Sequence, residues 1–221
     1  MVANQHKLNV FVSSTSKDLH NYRAVARLAI LDMGWIPVMM EHFGALPNPT
    51  VAACDQKLSE CELVLLIVAF SRGWVPTQEQ GGDGIRSITA CELDFARIKN
   101  IPVLVMLANE ASWPGNLYEN DQFGRDWVSK FRSQINVPAV FFDFEQETLS
   151  TAETERFPAF RVKLRQALLN HKERLLELDK EKKTVDAESG LDHFDSAREG
   201  ILTGATIPFV GWCIWHGPSQ H

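Results

Sequence analysis

An α/β domain built on a parallel sheet is the fold class that the sequence predicts, and three observations support it. Short apolar runs of strand length alternate with helical patterns over about the first 170 residues, as in consecutive strand–helix–strand units. One of these runs, LVLLIVAF at residues 63–70, is apolar on both faces, which is typical of a strand buried in the centre of a parallel sheet. The chain has 221 residues, 45% of them hydrophobic, which is enough to bury a full core.

Five strands are predicted, each a short apolar run bounded by residues that favour turns. They cover residues 8–13, 35–40, 63–70, 103–107 and 139–144. We expect the second strand near an edge of the sheet, because Pro37 has no backbone N–H to donate to a neighbouring strand. The loop after the third strand, residues 71–84, contains four glycines and a proline, and loops of this length usually carry function or disorder.

Helices occupy the segments between the strands, and a further helix follows the last strand. Helical patterns cover residues 19–33, 51–60, 88–100, 122–132 and 159–189. Gly34 ends the first of these helices, and the hydroxyl of Ser87 can cap the start of the third. Five strands with intervening helices predict a flavodoxin-like, doubly wound parallel sheet with helices on both faces, followed by a C-terminal helical extension.

The predicted α/β domain covers residues 1–170, and the composition changes twice after it. Ten of the fifteen residues from 172 to 186 are charged, so residues 171–200 are interpreted as a charged helical linker. A coiled-coil or partner-docking helix is the alternative, although its leucines span few heptads. Residues 201–221 are apolar again and are interpreted as a docking tail or as the start of a further domain.

The composition argues against several classes of protein and of site. The formal net charge of −6 argues against binding to a nucleic-acid backbone, and the longest apolar runs are too short to span a membrane. Four scattered cysteines without a C-x-x-C pair predict reduced thiols, a cytoplasmic protein and no structural zinc site. The seven histidines lack metal-ligand spacing, so no metal is expected. The chain contains no G-x-S-x-G, G-x-G-x-x-G, H-E-x-x-H or G-x-x-x-x-G-K-[ST] motif.

A ligand site is expected at the carboxyl ends of the first and third strands, because open parallel sheets bind ligands where the winding direction reverses. The first strand ends in Ser13, Ser14 and Thr15, three hydroxyl residues that lead into the start of a helix. Hydroxyl and backbone N–H groups at such a turn can hold a phosphate or a carboxylate. The alternative interpretation is that these residues only cap the helix.

Glu92 is the most unusual residue of the third helix. It falls on the same face as the apolar stripe of that helix, which consists of Ile88, Cys91, Phe95 and Ile98. A carboxylate that points into an apolar core needs a partner, a protonated state or a catalytic role. The structural alternatives are an ion pair with Arg72 or Arg86, or an exposed side chain.

Three segments resemble the motifs of an uncharacterised TIR-like family. They are VFVSSTSKDL at residues 10–19, LVLLIVAFSRGW at 63–74 and SITACELDFA at 87–96. The resemblance covers residues 7–108 and extends more loosely to about residue 170. It implies the flavodoxin-like fold of the TIR superfamily and a place at the N-terminus of larger signalling or defence proteins. Relatives often carry an acidic residue where Tyr22 stands and a tyrosine where Trp74 stands.

The resemblance also implies a chemistry, since enzymatic TIR domains cleave the nicotinamide glycosidic bond of NAD. NAD is then a substrate, and neither a resident cofactor nor a metal is required. By resemblance Glu92 matches the catalytic glutamate. The substrate-binding residues implied are Ser13, Ser14, Thr15 and Ser87, with Phe70 or Trp74 covering the base. The loop that mediates assembly in TIR domains corresponds to residues 41–50, in which the interaction residues are Glu41, His42, Phe43 and Gly44.

Three functions remain open at this point. The first is a signalling or defence module that acts as an NAD nucleosidase, a hydrolase, when copies of the domain or other TIR-like domains assemble. The second is a catalytically silent adaptor that binds like domains. The third is a nucleoside deoxyribosyltransferase-like enzyme, which has a similar fold and uses a glutamate nucleophile. A shared fold does not decide among them.

Overall fold

The computed structural model describes residues 7–15, 18–40, 50–146 and 156–203, with backbone only at residue 179 and beyond residue 181. Its five strands are β1 (Asn9–Ser14), β2 (Ile36–Val38), β3 (Leu63–Val68), β4 (Val103–Ala108) and β5 (Ala139–Phe142). They form one sheet in the order β2-β1-β3-β4-β5, and all neighbouring pairs are parallel. The predicted flavodoxin-like arrangement is therefore confirmed.

Five α-helices of the described residues connect and follow the strands. They are α1 (His20–Asp32), α2 (Val51–Ser59), α3 (Ile88–Ile98), α4 (Gln122–Ser133) and α5 (Pro158–Thr203). Short 3-10 turns lie in the loops at Gln78–Gln80, Glu110–Ser112 and Gly115–Leu117. The predicted boundaries hold to within a few residues for α1 to α4, whereas α5 continues to Thr203 and so extends beyond residue 189, where the predicted helix ends.

The centre of the sheet is β3, whose six residues are all buried, as its apolar sequence predicts. Its even-numbered residues face the helices on one side of the sheet. Val64 packs in a cluster with Leu58 of α2 and Ala96 of α3. Leu66 packs in a second cluster with Leu93 of α3. The short β2 lies at the edge of the sheet, where the missing N–H of a proline does least damage.

An aromatic cluster lies where α1, β5 and the start of α5 meet. The ring of Tyr22 stacks on Phe157 at a centroid distance of 4.2 Å and meets the edge of Phe160 at 5.0 Å. Phe142 of β5 contacts both Tyr22 and Phe160. The hydroxyl of Tyr22 accepts a hydrogen bond from the backbone N–H of Glu145 at 2.9 Å. Tyr22 is thus a core residue here, and burial raises its pKa to about 12.

The chain divides into two compact units, residues 1–171 and 172–221. Within the first unit, the beginning of α5 buries the apolar stripe Phe160, Leu164, Ala167 and Leu168. The described part of the second unit is helical backbone up to Thr203. In the described ranges, no helix combines the length and the apolar character that crossing a membrane requires.

The winding direction of the sheet reverses between β1 and β3, because β2 lies on one side of β1 and the later strands lie on the other. The last residues of β1 face the end of β3 in register: Ser13 is opposite Leu66, and Ser14 is opposite Ile67. The predicted hydroxyl residues therefore lie at the carboxyl ends of the strands, where ligands bind in this class of fold.

Candidate functional site

Helix α3 carries Glu92 to the end of β1. The helix begins at Ser87, whose side chain accepts a hydrogen bond from the backbone N–H of Ala90 at 3.3 Å. One turn further on, Glu92 is only 2% exposed. The hydroxyl of Ser13 donates a hydrogen bond to Glu92 Oε2, with 2.5 Å between the oxygens. The inward orientation that the apolar stripe predicts is therefore present, with Ser13 as a neighbour.

The two arginines that sequence reasoning offers to Glu92 make other contacts. Arg86 forms ion pairs with Asp83 at 2.7 Å and with Asp94 at 3.0 Å. The guanidinium of Arg72 donates to the backbone carbonyl of Ile85. Both arginines thus bind groups on the loop before α3 or on the outside of that helix.

A second buried charged residue, Arg23 of α1, lies at the same end of β1. It is 3% exposed, and its Nη1 donates to the hydroxyl oxygen of Ser14 at 2.7 Å and to the backbone carbonyl of Ser14 at 3.3 Å. Successive side chains of a strand point to opposite faces, so Ser14 points away from Glu92. Of the predicted hydroxyl residues, Ser13 contacts the glutamate and Ser14 contacts the arginine.

Thr15 points to a third charged residue, Asp18. Its hydroxyl donates to Asp18 Oδ1, just before α1 begins. Burial raises the pKa of Asp18, an effect that the Thr15 hydrogen bond partly offsets and the nearby carboxylate of Glu119 increases. The loop after β3 closes on this turn, because a Cβ added at Gly73 would lie 2.7 Å from Cγ2 of Thr15. The turn is therefore covered by protein.

The two aromatic side chains expected to cover a base lie in different surroundings. Trp74 is half-buried and packs against a cluster that contains Cys54 of α2 and Cys91 of α3. Phe70 stacks on Tyr118 at a centroid distance of 4.4 Å, and the guanidinium of Arg132 lies 4.2 Å from its ring centre. The contacts of Trp74 place it beside α3, the helix of Glu92, and those of Phe70 place it beside α4.

Among the described residues, three of the cavities lie along the helices and loops that flank this end of the sheet. Phe70, Tyr118 and Arg132 line a cleft of about 260 Å³. A wider cleft of about 500 Å³ lies between α3 and α4, and Leu93 and Trp127 are among its lining residues. A small cavity of about 10 Å³ lies beside the start of α3. The residues that line these three cavities do not include Glu92.

The described cysteines are free and buried, and their environment makes them poor nucleophiles. Burial, together with the nearby carboxylate of Glu92, raises the pKa of Cys54 to about 12. Burial also raises the pKa of Cys91. Because the thiolate is the reactive form of cysteine, these thiols stay protonated and inert near neutral pH.

The predicted assembly residues Glu41, His42, Phe43 and Gly44 lie outside the described residues. Sequence reasoning did not select Arg23 or Asp18 as site residues. The signal for Arg23 is the same as that for Glu92, since it is a charged residue on the apolar face of its helix, next to the buried Tyr22. The signal for Asp18 is its place in VFVSSTSKDL, the first of the segments that resemble TIR-like motifs.

The buried Glu92 carboxylate can act chemically in two ways. A carboxylate that is shielded from water and oriented by a hydroxyl can stabilise a positive charge that develops beside it. It can also accept a proton from a bound water molecule. Among the described residues, no group of three His, Cys, Asp or Glu side chains is close enough to hold a metal ion.

The chain belongs to a family described as a domain of unknown function, DUF4062, whose profile matches residues 9–157. This range is more than half of the chain and contains β1 to β5 and the Glu92 site. No curated protein matches the chain. Membership of an uncharacterised family is thus confirmed, and the relationship to the TIR superfamily stays a prediction.

Proposed function

We propose that this DUF4062 domain is a TIR-like NAD nucleosidase, which hydrolyses the bond between nicotinamide and ribose when copies of the domain assemble. One observation carries the proposal: the buried Glu92 carboxylate lies 2.5 Å from the Ser13 hydroxyl, where the winding of the sheet reverses. Both residues belong to the segments that resemble TIR motifs. Two segments 79 residues apart in sequence thus supply one polar pair at the ligand-binding edge of the fold.

In the proposed reaction, the bond between C1′ of the ribose and the nicotinamide nitrogen breaks. The bonding electrons go to the nicotinamide ring, which leaves as a neutral molecule, and positive charge develops on the ribose. The carboxylate of Glu92 stabilises that charge. A water molecule then attacks C1′ and passes a proton to Glu92 and on to solvent. The products are ADP-ribose, nicotinamide and one proton.

Glu92 is 2% exposed, so a substrate must displace part of its cover. The loop that follows β3 is the candidate cover, because Gly73 contacts Thr15 and Trp74 packs beside α3. In the proposal, assembly shifts this loop and admits the substrate. The rate per molecule should therefore increase with protein concentration.

The test is to incubate the purified chain with NAD at increasing protein concentration and to measure nicotinamide by chromatography. Light scattering on the same samples reports assembly. The assembled wild-type protein should release nicotinamide, and Glu92→Gln should lower the rate about 100-fold or more, because it removes the negative charge.

Glu79→Gln is the matched control, since Glu79 is an exposed carboxylate in the loop before α3 and should leave the rate unchanged. Turnover that survives Glu92→Gln would contradict the proposed role of this residue. Absence of nicotinamide from samples that have assembled would contradict the nucleosidase function itself.

The burial of Glu92 also favours a second candidate function, the catalytically silent adaptor. In the adaptor, the Glu92 carboxylate, which is 2% exposed and bonded to Ser13, has the structural role of joining α3 to β1. In that case the wild-type protein assembles with like domains and releases no nicotinamide. Glu92→Gln should then assemble at the same protein concentration as the wild type, as measured by light scattering.

A further inference from the structure

A small cavity at the start of α3 continues the row of polar groups that begins with Ser13 and Glu92. Its volume is about 10 Å³, near that of one water molecule, and Thr15, Ser87 and Thr89 lie on its wall. Thr89 comes three residues before Glu92 on α3, and Thr15 comes two residues after Ser13. Side chains at these spacings share a face of a helix or an extended segment, so the cavity adjoins the Glu92 site.

Two hydrogen-bond donors on the wall of this cavity have no acceptor among the described residues. Thr89 is 4% exposed, and its buried hydroxyl makes no hydrogen bond within the described part of the chain. The buried Nε–H of Arg72 is likewise unbonded to any described residue. Buried donors normally find an acceptor. Two such donors, one of them on a cation, indicate a ligand with negatively charged acceptor atoms.

We propose that Arg72 and Thr89 bind a phosphate group of the substrate, next to the ribose on which Glu92 acts. This inference rests on the proposed function and deepens it, because it gives the nucleotide a phosphate site. Residues three apart on a helix have Cβ atoms about 5–6 Å apart, which is about the span of a ribose from C1′ to its 5′-phosphate. The partial positive charge at the start of α3 adds to the attraction for an anion.

A phosphate is larger than the cavity, so its entry requires the side chain of Arg72 to move. That side chain lies against the rings of Phe123 and Trp127, at 5.1 and 5.2 Å from their centres, and donates to the backbone carbonyl of Ile85. A charged phosphate oxygen is a stronger acceptor than a neutral carbonyl. Binding then exchanges the Ile85 contact for a phosphate contact and opens the space beside Thr89.

The test compares two ligands that differ by one phosphate, nicotinamide mononucleotide and nicotinamide riboside. Their affinities are measured by calorimetry on the full chain carrying Glu92→Gln, so that neither ligand is consumed. We expect the mononucleotide to bind about 10-fold more tightly, as one charge-assisted contact supplies. Adding Thr89→Val or Arg72→Gln should abolish this preference. Thr89→Ser, which keeps the hydroxyl, and Arg97→Gln, an exposed arginine on α3, should retain it.

Equal affinity for the two ligands, or no binding of either, would overturn the phosphate site. A preference that survives both Thr89→Val and Arg72→Gln would also overturn it, and either variant alone suffices if the other does not fold. The NAD assay on the wild-type protein separates this result from the proposed function. A phosphate preference without nicotinamide release would support the phosphate site and contradict the nucleosidase function. Nicotinamide release without a phosphate preference would support the nucleosidase function and contradict the phosphate site.

Discussion

Two buried charged side chains are held by neighbouring serines at the end of β1. Ser13 donates to Glu92 of α3, and Ser14 accepts from Arg23 of α1. Burying a charge is costly unless hydrogen bonds replace its water shell. Both serine hydroxyls therefore contribute to the stability of the fold as well as to the candidate site.

Ser13→Ala should destabilise the protein, because it removes a donor from the buried Glu92 carboxylate without exposing that carboxylate to water. We expect a loss of about 1–3 kcal/mol in the free energy of unfolding, measured by urea denaturation. Ser59→Ala, at an exposed serine of α2, should change that free energy by less than about 0.5 kcal/mol. Equal stability of Ser13→Ala and wild type would mean that this short contact contributes nothing to folding.

At the scale of elements, the loop between β3 and α3 is fixed at both ends. Gly73, near the beginning of this loop, has a φ of +75° and lies against Thr15 in the turn after β1. Its end is tied by the backbone N–H of Ile88, which donates to the carbonyl of Trp74 at 2.9 Å. Movement of this loop, which the proposed reaction needs, must break these contacts.

Gly73→Ala should destabilise the protein for two reasons, a left-handed backbone and a steric contact. The left-handed backbone costs about 1–2 kcal/mol for a residue with a Cβ, and the contact with Thr15 adds about 1–3 kcal/mol. Gly84→Ala isolates the first effect, since Gly84 has a φ of +71° and no heavy atom lies within 4 Å of a Cβ added there. Urea denaturation of both variants should therefore show the larger loss for Gly73→Ala, and equal losses would contradict the close packing.

Periodicity predicted the elements well, because it reflects burial, although Ile98 of the predicted apolar stripe on α3 is 76% exposed. The apolar run of β3 predicted a central strand, and the stripe on α3 predicted that Glu92 points inward. Periodicity did not predict which side chains the site residues contact in the folded chain. Phe70 and Trp74 are four residues apart in one loop, yet they pack beside different helices, because tertiary contacts set the direction of a loop.

The three hydroxyl residues illustrate the same limit. Sequence reasoning treated Ser13, Ser14 and Thr15 as one cluster that faces a ligand. In the folded strand the first two point to opposite faces, and each bonds a side chain from a different helix. The two-residue period of a strand predicts that Ser13 and Ser14 point to opposite faces. Which helix residues they meet depends on the packing of α1 and α3.

At the scale of the whole molecule, alkaline pH should lower the free energy of unfolding, because a buried tyrosine hydroxyl and buried thiols lose their protons. Tyr22 has a pKa of about 12 in the folded state, above the value of about 10 of a free tyrosine, because it is buried. The folded state therefore holds this proton more tightly than the unfolded state. Stability from this group is fully present below pH 10 and is lost as the pH rises from about 10 toward 12.

The free energy of unfolding, measured in urea between pH 8 and about 11.5, should fall more steeply for the wild type than for Tyr22→Phe. The buried thiols of Cys54 and Cys61, with pKa values of about 12, act in the same direction in both proteins. The difference between the two curves therefore isolates Tyr22. Parallel curves would show that the hydroxyl of Tyr22 reaches solvent in the folded state.

The alternation at the end of β1 also bears on how the chain avoids misfolding. A slip of β1 by one residue along β3 would turn Ser13 toward Arg23 and leave Glu92 opposite an apolar side chain. Such a misaligned sheet would bury the Glu92 carboxylate without its hydroxyl contact. The contact between Ser13 and Glu92 thereby disfavours the alignment in which β1 is shifted by one residue toward its carboxyl end.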